Sequence, residues 1–131
     1  MAGFSDYLED KVLNHVFGGT AYTAPSTLYV ALYTAAPSDT GGGTEVSGGS
    51  YARKSMPDMT VSGTDPTTAT NGAAVEFVTA TGSWGTVSHV GVFDALTSGN
   101  LLGWAALTAS KTVSSGDVFR FDAVDLDITL A

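Results

Sequence analysis

Few side chains in this sequence can do chemistry, and their spacing limits what that chemistry could be. His15 and His89 are its two histidines. Serine and aspartate are plentiful, so a Ser-His-Asp set can be written on paper, but no Gly-x-Ser-x-Gly elbow exposes a nucleophile. Both histidines read as packed or surface residues, and the chain reads as a non-enzyme. Asp122, Asp125 and Asp127 crowd the C-terminal run and could offer oxygen ligands to calcium. Their spacing lacks the glycine-bearing loop of an EF-hand, and Asp125 and Asp127 share one strand face, which reads as a solvated face that discourages edge-to-edge pairing. Gly41-Gly42-Gly43 has no lysine and no helix start after it, so it is not a phosphate loop. Trp84 and Trp104, with Tyr29 and Tyr33, could stack on sugars, although such residues more often build a core or a subunit interface. No metal or cofactor is expected.

The elements that must carry these residues follow from periodicity. Phe4, Leu8, Val12 and Val16 recur at intervals of four, widened by Leu13 and Phe17, which predicts one amphipathic helix over residues 5–17. Ser5 can cap its start, Asp6, Glu9 and Asp10 suit the helix dipole, and Gly18-Gly19 stop it. From Thr27 the period becomes two. Leu28, Val30 and Leu32 alternate with Tyr29, Ala31 and Tyr33, so both faces of this strand are apolar and one must be covered by the helix or by another subunit. Further runs at Tyr51–Met56, Ala73–Ala80, Trp84–Asp94, Leu101–Ala109 and Val118–Leu130 are separated by turn signals spaced as in a sandwich or jelly roll. In the last run Phe119 and Phe121 have one parity and Val124, Leu126, Ile128 and Leu130 the other. The strand must therefore slip phase near Ala123-Val124 by a bulge or a change of sheet, unless Phe119 and Phe121 face a partner. The fold expected is mainly β, an antiparallel β-sandwich or jelly-roll-like domain with one N-terminal α-helix.

With 131 residues the chain suits one domain, 1–131. Hydrophobic residues make up 44% and charged residues 14%, so Ser, Thr, Gly and Ala must cover much of the surface. A net charge of −8 opposes approach to phosphate backbones, so nucleic acid is not an expected partner. No run nears the roughly 18 to 20 apolar residues of a membrane span, and the acidic N-terminus does not resemble a secretory leader. With no cysteine, stability must come from packing or oligomerisation. The glycine-rich stretch within Ala35–Ser50 reads as a flexible arm, disordered in the free protein and ordered against a partner, with the Tyr51-Ala52-Arg53 strand fixing where it emerges.

Several segments resemble one family. Phe4-Ser5-Asp6-Tyr7-Leu8-Glu9-Asp10-Lys11, the run from Tyr22 to Thr34, Glu45 to Arg53, Ser83 to Asp94 and Ser110-Lys111-Thr112-Val113 are similar to a family of small tailed-bacteriophage virion structural proteins, often labelled tail fibre proteins and related to capsid decoration proteins. The resemblance implies a virion protein made in the host cytoplasm, and carries no catalytic residues with it. Two readings follow. As a capsid cement or decoration protein it would bind the major capsid protein on the outer surface of the head, as a homo-oligomer and most plausibly a trimer. As a tail fibre or tail-tip module it would contact tail proteins and the host surface. The short chain without shaft repeats favours cement. Candidate partner contacts are Phe4, Leu8 and Val12 on the helix, Tyr29 and Tyr33 on the second strand face, and Glu45, Tyr51 and Arg53 around the arm.

Overall fold

The helix forms where the period-four stripe lies, and the computed structural model, which describes residues 4–130, places α1 at Asp6–Val16. Ser5 is its N-cap, with Oγ accepting from the Leu8 amide at 3.2 Å. The same hydroxyl donates to the Leu101 carbonyl, and the Ser5 amide donates to the Leu102 carbonyl at 2.8 Å. Phe4 bridges Gly103. The helix start is thus tied to a strand edge, and only its first turns, through Tyr7 and Leu8, pack on the core. The stripe is wider than that contact: Leu13, Val16 and Phe17 are 59%, 60% and 81% exposed.

The strands follow the alternating runs. β1 (Leu28–Ala35), β2 (Thr44–Glu45), β3 (Lys54–Met56), β7 (Gly85–Phe93) and β8 (Leu101–Val113) form one antiparallel sheet in the order β2-β1-β7-β8, with β3 also pairing β1. β2 and β3 share one edge of β1: Leu28, Tyr29 and Val30 face Met56, Ser55 and Lys54, and Tyr33 and Ala35 face Glu45 and Thr44. β7 holds the other edge, with Tyr29 opposite Phe93 and Tyr33 opposite His89. Facing this sheet, β6 (Val75–Glu76) pairs with β9 (Arg120–Phe121), and the Phe77 amide prolongs the pair by donating to the Phe119 carbonyl at 2.9 Å. A third sheet orders β10 (Asp127–Leu130), β5 (Thr67–Thr70) and β4 (Thr60–Ser62). The fold is therefore mainly β, with antiparallel sheets and one short N-terminal helix.

The main core lies between the five-stranded sheet and the β6–β9 pair. Val30, Leu32, Val87, Val75 and Phe77 are the largest of its fully buried apolar side chains, each worth about 1.5 to 3 kcal/mol on removal from water. An aromatic chain runs through it: Tyr51 meets Trp84 edge-on at 5.4 Å, Phe77 meets Phe119 at 6.0 Å, and Phe119 meets Phe121 at 5.1 Å. Phe119 and Phe121 are core residues, which removes the reading in which they face a partner.

The phase slip in the last run is a change of sheet. After β9 the chain turns through Val124, at a φ of 65°, and joins β5 as β10. Fully buried Asn71 holds this turn. Its side-chain amide donates to the Ala73 and Asp122 carbonyls at 2.9 and 3.0 Å, and its Oδ1 accepts from the Leu126 amide at 2.8 Å. Asp125 accepts from the Asp122 amide at 2.8 Å, so this carboxylate shapes the turn. The expectation that the second apolar set also fills the core fails at its ends, because Val124 and Leu130 are 71% and 58% exposed.

The flexible-arm expectation for residues 35–50 also requires correction. Val46 is a core residue, and its amide donates to the Leu32 carbonyl at 2.9 Å. The Gly49 carbonyl accepts from Trp84 Nε1 at 2.9 Å and from the Thr81 amide at 3.0 Å. The glycines serve tight turns and close packing, which density of glycine alone does not distinguish from looseness. At Gly49, with φ at 56°, an added Cβ would lie 2.9 Å from Trp84 Nε1; at Gly43, with φ at 72°, it would lie 2.7 Å from the Pro37 nitrogen.

Candidate functional site

The residues singled out around the glycine segment converge on one cluster. β2 ends at Glu45, and the chain then leaves the edge of β1 and returns at β3, so the ladder between Tyr33 and Val30 has a gap. Tyr51 fills it. Its hydroxyl accepts from the Leu32 amide at 3.0 Å, in place of the missing strand carbonyl, and donates to Glu45 Oε2 at 2.7 Å. Arg53 grips the same carboxylate with a planar fork, Nε to Oε2 and Nη2 to Oε1, both at 2.9 Å. Its remaining nitrogen donates to the Ala95 and Ser98 carbonyls at 3.0 and 2.8 Å, and its guanidinium carbon lies 3.6 Å from the centre of the Phe93 ring.

The electrostatics follow from this geometry. Burial alone would lower the Arg53 pKa, and the hydrogen bonds and charge of Glu45 outweigh it and hold it above its ordinary value. Burial pushes the Tyr51 hydroxyl well up; donation from the Leu32 amide opposes this, and Glu45 adds to it. With the Arg53 side chain 8% exposed and that of Glu45 25% exposed, the cluster is a structural clamp joining β2, β3 and the 94–100 turn. Glu45, Tyr51 and Arg53 are thus engaged with one another within the chain.

The other candidates are placed differently. Tyr33, Ala31, Phe93 and Leu101 form a second small cluster on the far face of the sheet, with Tyr29 and Trp104 half-buried against it. The 36–43 and 94–100 segments lie over this face, and Trp104 Nε1 donates to Asp39 Oδ1 at 3.0 Å to hold the first of them. Tyr33 is 4% exposed, so the expected subunit face through Tyr33 is covered from within the same chain. Phe4, Leu8 and Val12 are half-buried, the first two in contacts within the domain. His15 accepts from the Tyr22 amide at 3.0 Å, and His89 Nδ1 lies 2.8 Å from the Ser88 hydroxyl. Asp122 pairs with Arg120 at 2.7 Å. Trp84 is buried in the core. Among the exposed apolar groups, Leu13, Val16 and Phe17 gather at the end of α1; the stripe contained them, but nothing in its spacing told which part the core would take.

Compared with known families, residues 3–129 match the family described as podophage GP4 fiber I protein gp80. No curated protein matches the chain.

Arg53→Ala leaves a partly buried carboxylate without its counter-ion, so a loss of about 3 kcal/mol in unfolding free energy is expected by denaturant titration. Arg53→Lys should recover only part of it, since an ammonium cannot make the fork. Stability should also fall in alkali. Tyrosines in the unfolded chain ionise near pH 10. In the fold Tyr33 is pushed up to about 12, by burial first and by Glu45 second, against an opposing effect of Arg53, and Tyr51 is raised as well. A raised folded pKa means that the folded state holds its protons longer, so the stability contributed is complete below pH 10 and is lost as pH climbs through the folded values. Tyr22 is raised too, by burial first and then by Tyr7 and Asp94, so tyrosinate absorbance should show three late-ionising groups, and Tyr51→Phe should remove one and flatten the alkaline loss of stability.

Proposed function

The chain belongs to the podophage GP4 fiber I protein family and is a phage virion component, and we propose that within the virion it serves as a non-catalytic module of the tail fibre apparatus, joined to other tail proteins. The observation that carries this reading is the family match over residues 3–129, whose description names a fibre and favours it over the capsid cement reading drawn from the sequence. The structure supports a passive role in a second way. Glu45, Tyr51 and Arg53, expected from the sequence as partner contacts, bond to one another and hold the chain together.

A missing shaft was the argument for cement. A short module attached to a larger fibre escapes it, because the fibre supplies the length and the module a rigid, weakly charged β surface. With a net charge of −8, the chain meets its neighbours best where it carries no charge. The end of α1 offers such a place in Leu13, Val16 and Phe17. Self-association, proposed as a trimer, moves there from the Tyr29 and Tyr33 face, and so does attachment to tail partners.

Antibody-labelled or high-resolution electron microscopy of the phage should place the protein on the tail in few copies; density for many copies over the head would overturn the fibre reading in favour of cement. Phe17→Ser should change the isolated domain's stability by less than about 0.5 kcal/mol, because the ring is solvent-exposed. The same substitution should reduce sedimentation as an oligomer and incorporation into particles.

A further inference from the structure

We propose that the Asn71-Gly72 peptide is a deamidation site that the native fold keeps shut and unfolding opens, so that a chain left unfolded loses the ability to refold. The reaction needs only water. The backbone nitrogen of Gly72 gives up its proton and attacks Cγ of Asn71; a C–N bond forms, the bond from Cγ to Nδ2 breaks, and ammonia leaves with the proton. Water then opens the cyclic imide at either of its carbonyls and leaves aspartate or isoaspartate at position 71. Glycine is the following residue that hinders this least, because it has no Cβ to keep its nitrogen from Cγ and reaches the backbone angles that ring closure demands. Of the three asparagines, Asn14 precedes His15 and Asn100 precedes Leu101, so only Asn71 has glycine after it.

The fold withholds what that reaction requires. Asn71 is fully buried directly after β5, and all of its polar atoms are engaged. Nδ2 donates to the Ala73 and Asp122 carbonyls and Oδ1 accepts from the Leu126 amide, while the main-chain amide of Asn71 donates to the Leu126 carbonyl at 3.1 Å and its carbonyl accepts from the Val124 amide at 2.9 Å. The side-chain amide is thus held at both ends. Turning Cγ onto the Gly72 nitrogen breaks its three hydrogen bonds in a site with no exposed surface from which water could replace them. These bonds reach from the end of β5 to the turn between β9 and β10, so they part only when that turn opens.

Nothing in the fold asks for glycine at position 72. Its φ lies outside the left-handed region, the residue is exposed, and a Cβ there would lie 3.6 Å from Thr60 Oγ1, an ordinary contact. The products, in contrast, do not fit. A carboxylate at position 71 can still accept from the Leu126 amide but has no proton to donate to the Ala73 and Asp122 carbonyls, so oxygen faces oxygen in a buried site. Isoaspartate also lengthens the main chain by one carbon just before β6, whose Val75 is buried in the core. The inference rests on this turn alone and holds wherever in the particle the protein sits.

The test is peptide mass spectrometry of the full chain held at mildly alkaline pH, either native or unfolded in guanidinium chloride. In denaturant, deamidation should accumulate at Asn71 ahead of Asn14 and Asn100. In the native protein it should be slower by about a thousandfold or more, the factor by which folding depletes the unfolded state. On dilution from denaturant after increasing delays, the fraction that refolds should fall in step with the fraction of chains whose Asn71 is intact. Gly72→Ala should fold, slow the reaction severalfold and preserve refolding over the same delays, whereas Asn71→Asp should lower the midpoint of denaturant unfolding or fail to fold. Native deamidation within about tenfold of the unfolded rate would mean that the turn opens locally, and would overturn the proposal. Full refolding of chains deamidated at position 71, an Asn71→Asp variant as stable as the native chain, or a loss of refolding that Gly72→Ala does not slow would overturn it equally.

Discussion

The bidentate contact between Arg53 and Glu45 is the interaction on which most of the fold's unusual features depend. An edge strand broken into β2 and β3 would ordinarily leave the neighbouring strand's amides open to water or to another chain. Here Tyr51 closes the gap from its own loop, and it can do so only because Glu45 receives its proton while Arg53 holds Glu45 in place. The guanidinium then reaches the 94–100 turn and lies against Phe93, so one side chain couples the sheet edge to the cover over its second face. Without that cover Tyr33, Phe93 and Leu101 would form an exposed apolar patch.

This arrangement answers a difficulty that the composition raises. A domain without disulfides and with only 14% charged residues must fix its long loops by other means. It does so with a few side chains that each satisfy several backbone groups. Arg53 binds two carbonyls and a carboxylate, Asn71 binds two carbonyls and an amide, and Ser5 joins the helix cap to the start of β8. Each replaces a stretch of regular ladder, and this is how short strands of two or three residues persist here. A compact module of this kind, with its loops held down, suits a component of a fibre whose geometry must be transmitted between neighbours.

The sequence made some of this legible and concealed the rest for identifiable reasons. Local periodicity located α1 to within a residue at each end, and the parity change in the last run announced the switch from β9 to β10. Those signals are local and survive without knowledge of neighbours. β5, in contrast, is threonine-rich with no buried face, so alternation could not reveal it. The two-faced apolar pattern of β1 was real, but whether loops or a second subunit cover Tyr33 depends on how the 36–43 segment is held by distant residues such as Trp104 and on where the 94–100 turn lies. The residues of the Glu45, Tyr51 and Arg53 cluster were singled out as partner contacts, and their bonds to one another were not foreseen. Its charges read as outward contacts because the glycines around them suggested freedom, whereas those glycines permit the turns that fold the charges inward. Asn71 and Asp39 gave no signal of their structural roles, since a single polar residue acquires its importance from the backbone groups that tertiary structure brings to it.

The central claim, that the segment from Glu45 to Arg53 is locked into the free domain by this cluster, is tested most directly by native-state hydrogen exchange at single-amide resolution. The amides of Leu32, Val46 and Thr81, whose acceptors are Tyr51, Leu32 and Gly49, report on it. They should exchange only through global unfolding, with protection equal to that of Val90 and Val92 in the central strand, and Arg53→Ala should release Leu32 and Val46 first. Exchange of Val46 and Thr81 at the rate of an unstructured chain, with the central strand still protected, would contradict the account and restore the free arm.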